Sequence, residues 1–172
     1  ENLIRGKPYG TARAESTDDL LREVLNALED GSILIMAAAP LDYTPIERSH
    51  VKMKKGSGEI TLRLKRTPDI LKAVSESIKA GMHNGVIVVG FAAETVNIEE
   101  YALGKLKEKD LDMICLNDVS RNDAGFAVDT NRIIIFDRRG LRTELPVLSK
   151  KETSVRILDY IEEKEQKLEK EK

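Results

Sequence analysis

The sequence predicts an α/β domain of three layers built on a mostly parallel sheet, and three observations carry that prediction. The run Val86-Ile87-Val88-Val89 is β-branched at every position, which suits a strand buried on both faces of a parallel sheet. Short apolar β runs alternate with segments whose apolar residues recur at helical spacing, the order that builds parallel strands with helical crossovers. Toward the C-terminus two further β runs are joined only by Arg138-Arg139-Gly140, which reads as an antiparallel hairpin at a sheet edge.

Each element follows in chain order. Thr17, ahead of Asp18 and Asp19, is a helix cap, and Leu20, Leu21, Val24, Leu25 and Leu28 form one stripe that Asp30-Gly31 ends. A strand is expected from Ser32 to Ala38, then a loop from Ala39 to Ser49 interrupted by two prolines. Val51 to Lys55 and Glu59 to Leu64, the latter alternating Ile60, Leu62 and Leu64, flank Gly56-Ser57-Gly58 and read as a flap hairpin. Pro68 suits the first turn of a helix carrying Ile70, Leu71, Val74 and Ile78, with Gly81 near its end. A strand from Val86 to Gly90 follows. Asn97 is expected to cap a helix with Ile98, Tyr101, Ala102 and Leu106 facing inward, ahead of a strand from Leu111 to Leu116. Arg132 to Phe136 and Leu141 to Val147 make the edge hairpin. From Lys150 a helix places Val155, Leu158, Ile161 and Leu168 on one side and ends in a Lys/Glu-rich tail.

Composition bounds the function. The 172 residues are 41% hydrophobic with three Phe, four Tyr and no Trp, so one domain with an aliphatic core is expected over 1–172. The 28 basic and 30 acidic side chains leave a net charge of -2, which excludes a basic excess for nucleic acid; any anion site must be local. The longest apolar stretch, Ile33 to Leu41, is too short to cross a bilayer and no signal pattern precedes it, so a cytoplasmic location is expected. Cys115, in Met113-Ile114-Cys115-Leu116, reads as an inert buried thiol, and His50 and His83 lack metal-ligand spacing.

Several residues invite chemical readings beside plainer ones. Ala37-Ala38-Ala39 at a strand end leaves room for a flat ligand against the backbone, or simply packs tightly. Asp42 accepts hydrogen bonds from ribose hydroxyls or an amino group, or caps a loop. Lys52, Lys54 and Lys55 beside a Gly-rich turn could clamp phosphate, or protect a strand edge. Lys105 and Lys109 lie four apart on a helix, where like charges cost roughly 0.2–0.5 kcal/mol unless an anion sits between them.

Taken together, Ile33 to Ala39, Asp42-Tyr43, Lys52-Met53-Lys54-Lys55, Thr67-Pro68-Asp69-Ile70-Leu71, Gly90 to Thr95, Leu111-Asp112, Asn117-Asp118 and Phe126 to Ser149-Lys150-Lys151-Glu152 resemble phosphopantothenate-cysteine ligase in order and spacing. That ligase often forms the C-terminal half of a bifunctional coenzyme A biosynthesis flavoprotein. The resemblance implies a Rossmann-like fold and CTP-dependent ligation of 4'-phosphopantothenate to cysteine through an acyl-cytidylate, with Mg2+ beside the triphosphate and no FMN in this chain. It assigns Met36, Ala37, Ala38, Asp42, Pro68, Asp69, Ile70, Leu71, Phe91, Lys105 and Lys109 to the nucleotide, and Lys52 to nucleotide and catalysis alike. A homodimer is expected, with a contact at the Arg132 to Val147 hairpin. Family members carry a Gly-rich strand-loop segment and an Asn-bearing segment ahead of the region matched, so this chain alone is expected to bind CTP weakly and not to turn over.

Two other classes compete. A dinucleotide-binding oxidoreductase domain would share the fold, but no G-x-G-x-x-G or G-x-x-x-x-G-K-[ST] occurs in the sequence. A non-catalytic dimerisation module would use the edge hairpin alone.

Overall fold

The computed structural model describes residues 9–47, 51–52, 54, 56, 58–94, 97–118 and 129–170. Helices α1 (Thr17–Ala27), α2 (Ile70–Lys79), α3 (Ile98–Glu108) and α4 (Lys150–Lys170) are interleaved with strands β1 (Ile33–Met36), β2 (Tyr43–Pro45), β3 (Leu64–Arg66), β4 (Ile87–Glu94), β5 (Met113–Asp118), β6 (Thr130–Asn131), β7 (Ile133–Asp137), β8 (Arg142–Glu144) and β9 (Leu148–Ser149). The main sheet has the order β1-β4-β5-β7-β8. Its first three strands are parallel, and β7 and β8 join antiparallel to make the predicted edge hairpin.

Side-chain alternation divides the core in two. Val88, Ala92, Ile114, Leu116, Ile134 and Phe136 point to one face, which α1, α2 and α3 cover through Leu28, Val74, Ala102 and Leu106. Val89, Met113, Cys115, Ile133 and Ile135 point to the other, which α4 covers with Ile157 and Ile161. The result is the expected α/β/α layering, with the ligand-accessible ends of parallel strands near the segments that follow β1 and precede α2.

Local chemistry sets several boundaries. The cap of α1 is Ser16, one residue earlier than expected; its hydroxyl accepts from Asp19 N at 3.1 Å while Asp19 returns a carboxylate to Ser16 N. For α2 the cap is Asp69, whose carboxylate accepts from Lys72 N, and Pro68 therefore stands before the helix, not in its first turn. The helix ends where Gly81 adopts φ +73, with Gly81 N donating to Ile78 O and Met82 N to Ser77 O. Asn97 occupies the cap position of α3 in the left-handed region, φ 47, and its side chain makes no capping bond.

Other expectations need correction. Strand β1 is shorter than Ser32 to Ala38. Strand β4 does not stop at Gly90, because β5 pairs with it from Val89 to Glu94 and carries it beyond the end of β1; Gly90 to Glu94 is therefore strand, and Thr95 lies outside the described residues. Strand β5 begins at Met113, with Leu111 buried just before it. The ribbon in the loop pairs Tyr43–Pro45 with Leu64–Arg66, and residues 51, 52, 54 and 59–63 are in no strand. Ile60 and Leu62 are exposed at 64% and 61%, so their alternation has no apolar face to meet; Met53, Lys55 and Ser57 lie outside the described residues. Tyr101 is exposed, since α3 turns Ala102 and Leu106 inward. On α4 the buried residues among those described are Thr153, Ile157 and Ile161, while Val155 and Leu158 face outward, and the side chain of Leu168 lies outside the described residues. Cys115 is fully buried, and burial pushes its thiol up to about 12, as an inert core cysteine requires.

Candidate functional site

The segment after β1 and the cap of α2 are tied together by the backbone. Thr67 N donates to Asp42 O at 2.9 Å, the Thr67 hydroxyl donates to Leu41 O, and Ile46 N donates to Arg63 O at 3.0 Å. The β2–β3 ribbon continues this ladder, with Tyr43 opposite Arg66. Pro68 keeps Thr67 extended, so Asp69 starts α2 directly beside the strand ends.

Between these segments lies a hollow of about 180 Å³ lined by Met36, Ala38, Pro40, Leu41, Asp42, Thr67, Pro68, Asp69, Ile70, Leu71, Phe91 and Lys109. Its walls come from β1 (Met36), β4 (Phe91), the start of α2, and the C-cap of α3 (Lys109). Ile70 is buried and packs inward, while Phe91 is half-buried against the α4 side of the core. Gly90 permits close packing here, because a Cβ at that position would stand 2.7 Å from Leu111 Cδ1.

Among the described residues, three charged ones line the hollow: Asp42, Asp69 and Lys109. Lys109 Nζ lies 3.0 Å from Asp69 Oδ2, with the two side chains 26% and 40% exposed. Of the residues singled out from the sequence, Met36, Ala38, Asp42, Pro68, Asp69, Ile70, Leu71, Phe91 and Lys109 thus share one wall-to-wall space. Ala37 is exposed and outside that lining, Lys105 lies one helical turn before Lys109, and Lys52 is exposed in the loop between β2 and β3. Pairing of Lys52 and Lys54 on one strand face does not occur, as neither residue is in a strand.

A second hollow of about 420 Å³ adjoins the first across Pro40, Leu41 and Thr67, and is otherwise lined by the start of α1 and by Ala39, Tyr43, Thr44 and Pro45. The sequence offered no sign of this shared wall beyond the two prolines and the residue preceding Pro68. Among the described residues there is no group of three or more His, Cys, Asp or Glu able to hold a metal ion, and no helix long and apolar enough to cross a membrane.

The family model described as the DNA/pantothenate metabolism flavoprotein C-terminal domain matches residues 5–164. The bifunctional coenzyme A biosynthesis protein CoaBC of Bacillus subtilis is 45% identical over 158 residues, covering 90% of this chain and 38% of the relative. The chain therefore spans well under half the length of that curated relative. A crystal structure of the C-terminal domain of a CoaBC protein is 34% identical with a TM-score of 0.69, covering 93% of this chain and 66% of that one. A structure described as a Cab2 mutant in complex with phosphopantothenate-cysteine shares the fold at 16% identity and a TM-score of 0.59, covering 87% of this chain and 50% of that one.

Proposed function

The chain belongs to the family of DNA/pantothenate metabolism flavoprotein C-terminal domains, and from that premise we propose that it forms the CTP-binding part of a phosphopantothenate-cysteine ligase in coenzyme A biosynthesis. One observation carries the reading: Asp42, the Pro68 to Leu71 stretch, Phe91 and Lys109, far apart in sequence, line one hollow at the ends of parallel strands. The likeness to relatives named CoaBC supports the pathway, and the proposed domain is the single unit 1–172.

In this reading the base lies in the hollow against Met36 and Ala38, with Ala37 just outside it, and the small alanine side chains leave backbone groups within reach of a flat edge. Asp42 accepts from the cytosine amino group or a ribose hydroxyl. A hollow of about 180 Å³ is smaller than the ~300–1,000 Å³ of ordinary ligand sites, so the phosphates extend out of it toward Lys109, Lys105 and Lys52. The carboxylate of 4'-phosphopantothenate attacks the α-phosphorus of CTP and expels pyrophosphate. The cysteine amine then attacks the acyl carbon, loses a proton and displaces CMP. The chain's part is to align the carboxylate and offset charge on the α-phosphate, with Lys52 as the movable cation that does so.

Magnesium fits this donor set in a limited way. Of the two carboxylates that line the hollow among the described residues, Asp69 is held by Lys109 and Asp42 is given to the nucleoside, so Mg2+ would be held mainly by the phosphates and water, the usual mode for this ion at a triphosphate. When bound, that ion would withdraw charge from the phosphate oxygens. No FMN is expected in this chain. The same proposal makes the protein a cytoplasmic homodimer with the β7–β8 hairpin as a contact; Leu141 and Val147, at 53% and 45% exposure, offer apolar surface beside it.

Pyrophosphate release from CTP tests the proposal. With this chain exchanged for the matched segment of the Bacillus subtilis relative, release is expected only when phosphopantothenate is present. Release independent of phosphopantothenate, or supported equally by UTP, would overturn it.

A further inference from the structure

The resemblance gives Asp69 to the nucleotide, but the geometry points to a different role, and we infer that Asp69 is a positioning residue that acts through Lys109. It holds the ammonium at the wall of the hollow and is the anion with which an incoming polyphosphate competes for it. The inference rests on the proposal that phosphates reach Lys109.

Asp69 divides its carboxylate between two tasks. One oxygen caps α2, accepting from Lys72 N at 3.2 Å, and the other lies 3.0 Å from Lys109 Nζ. Capping needs an acceptor and not a charge, since Asn and Asp cap equally well. The negative charge is therefore surplus to the helix and is matched to the lysine. Among the described residues of the lining, two carboxylates face one ammonium, so these side chains together carry a net negative charge. A small anion that reaches Lys109 meets the Asp69 carboxylate, 3.0 Å from the same ammonium, as a like charge at short range. A polyphosphate overcomes this because it is multiply charged and long enough to reach past the hollow, toward the turn of α3 that carries Lys105. Asp69 thus sets which anions the site accepts.

The test is calorimetric titration of inorganic tripolyphosphate, in low-salt buffer free of divalent ions, into the wild type, Asp69→Asn, Lys109→Gln and the double variant. Asp69→Asn keeps the cap and removes the charge, so its melting temperature should stay near that of the wild type. It should bind tripolyphosphate about two- to fivefold more tightly, as expected for releasing a partly exposed ion pair. In the Lys109→Gln background the same change should have a clearly smaller effect. Weaker binding by Asp69→Asn, an equal gain in both backgrounds, or no binding by either protein would overturn the inference. Failure of CTP, with tripolyphosphate behaving as described, would count against the proposed function and leave this assignment standing.

Discussion

At the scale of single residues, the chain separates groups that shape the site from groups that would act in it. Gly90 belongs to the first kind. Leu111 is 1% exposed and has little freedom to retreat from an added methyl 2.7 Å away, so Gly90→Ala should cost about 1–3 kcal/mol of unfolding free energy by urea titration; a loss below a few tenths would mean the contact yields freely. Lys52 belongs to the second. Charge grows on the α-phosphate during attack, so Lys52→Gln in the exchanged protein should lower kcat for pyrophosphate release by about two to three orders of magnitude and change KM for CTP little. A change confined to KM would remove Lys52 from the chemical step. Asp42, Asp69 and Lys109 were legible as residue types in a pattern, but the Asp69–Lys109 contact was not, because it joins the start of one helix to the end of another, distant in sequence, on the same face of the sheet.

At the scale of elements, helix α4 shows both what periodicity reveals and what it leaves open. Its start was readable from Lys150 onward, and Ser149 with Glu152 closes it: the Ser149 hydroxyl and backbone N–H both donate to the Glu152 carboxylate. Those bonds favour the ionised form and hold the Glu152 carboxyl below its ordinary value of 4.5. A lowered folded value means stability that is present above pH 4.5 and lost as pH falls through the folded value. The melting temperature of Glu152→Gln should therefore fall less than that of the wild type between pH 5 and pH 3; parallel profiles would show that this cap does not titrate with folding. The buried stripe was misread because Val155-Leu158-Ile161 and Thr153-Ile157-Ile161 are both helical spacings that share Ile161. Only the position of β5 and β7 beneath the helix decides between them. The ribbon was displaced for a similar reason: alternation in Ile60-Leu62-Leu64 signals a strand, but strand pairing was settled by the Asp42–Thr67 contact, which no local pattern encodes.

At the scale of the whole molecule, order and composition were enough for the architecture. The β-branched run in β4, the alternation of strand and helix, and the short hairpin connection predicted a mostly parallel sheet with an antiparallel edge, and the strand order β1-β4-β5-β7-β8 has that form. The site follows from that topology, since the parallel strands β1 and β4 end beside the cap of α2 and the loop carrying Asp42. The central claim is that this place reads cytosine. Cytosine presents an amino donor where uracil presents an acceptor, so a site that accepts that hydrogen bond must discriminate between CTP and UTP. Parallel calorimetric titrations of CTP and UTP into the protein, with Mg2+ present, test this most directly. CTP should bind at least about tenfold more tightly, as a polar group left unpaired once the base covers it costs ~1–3 kcal/mol; equal affinity for the two nucleotides would contradict cytosine recognition.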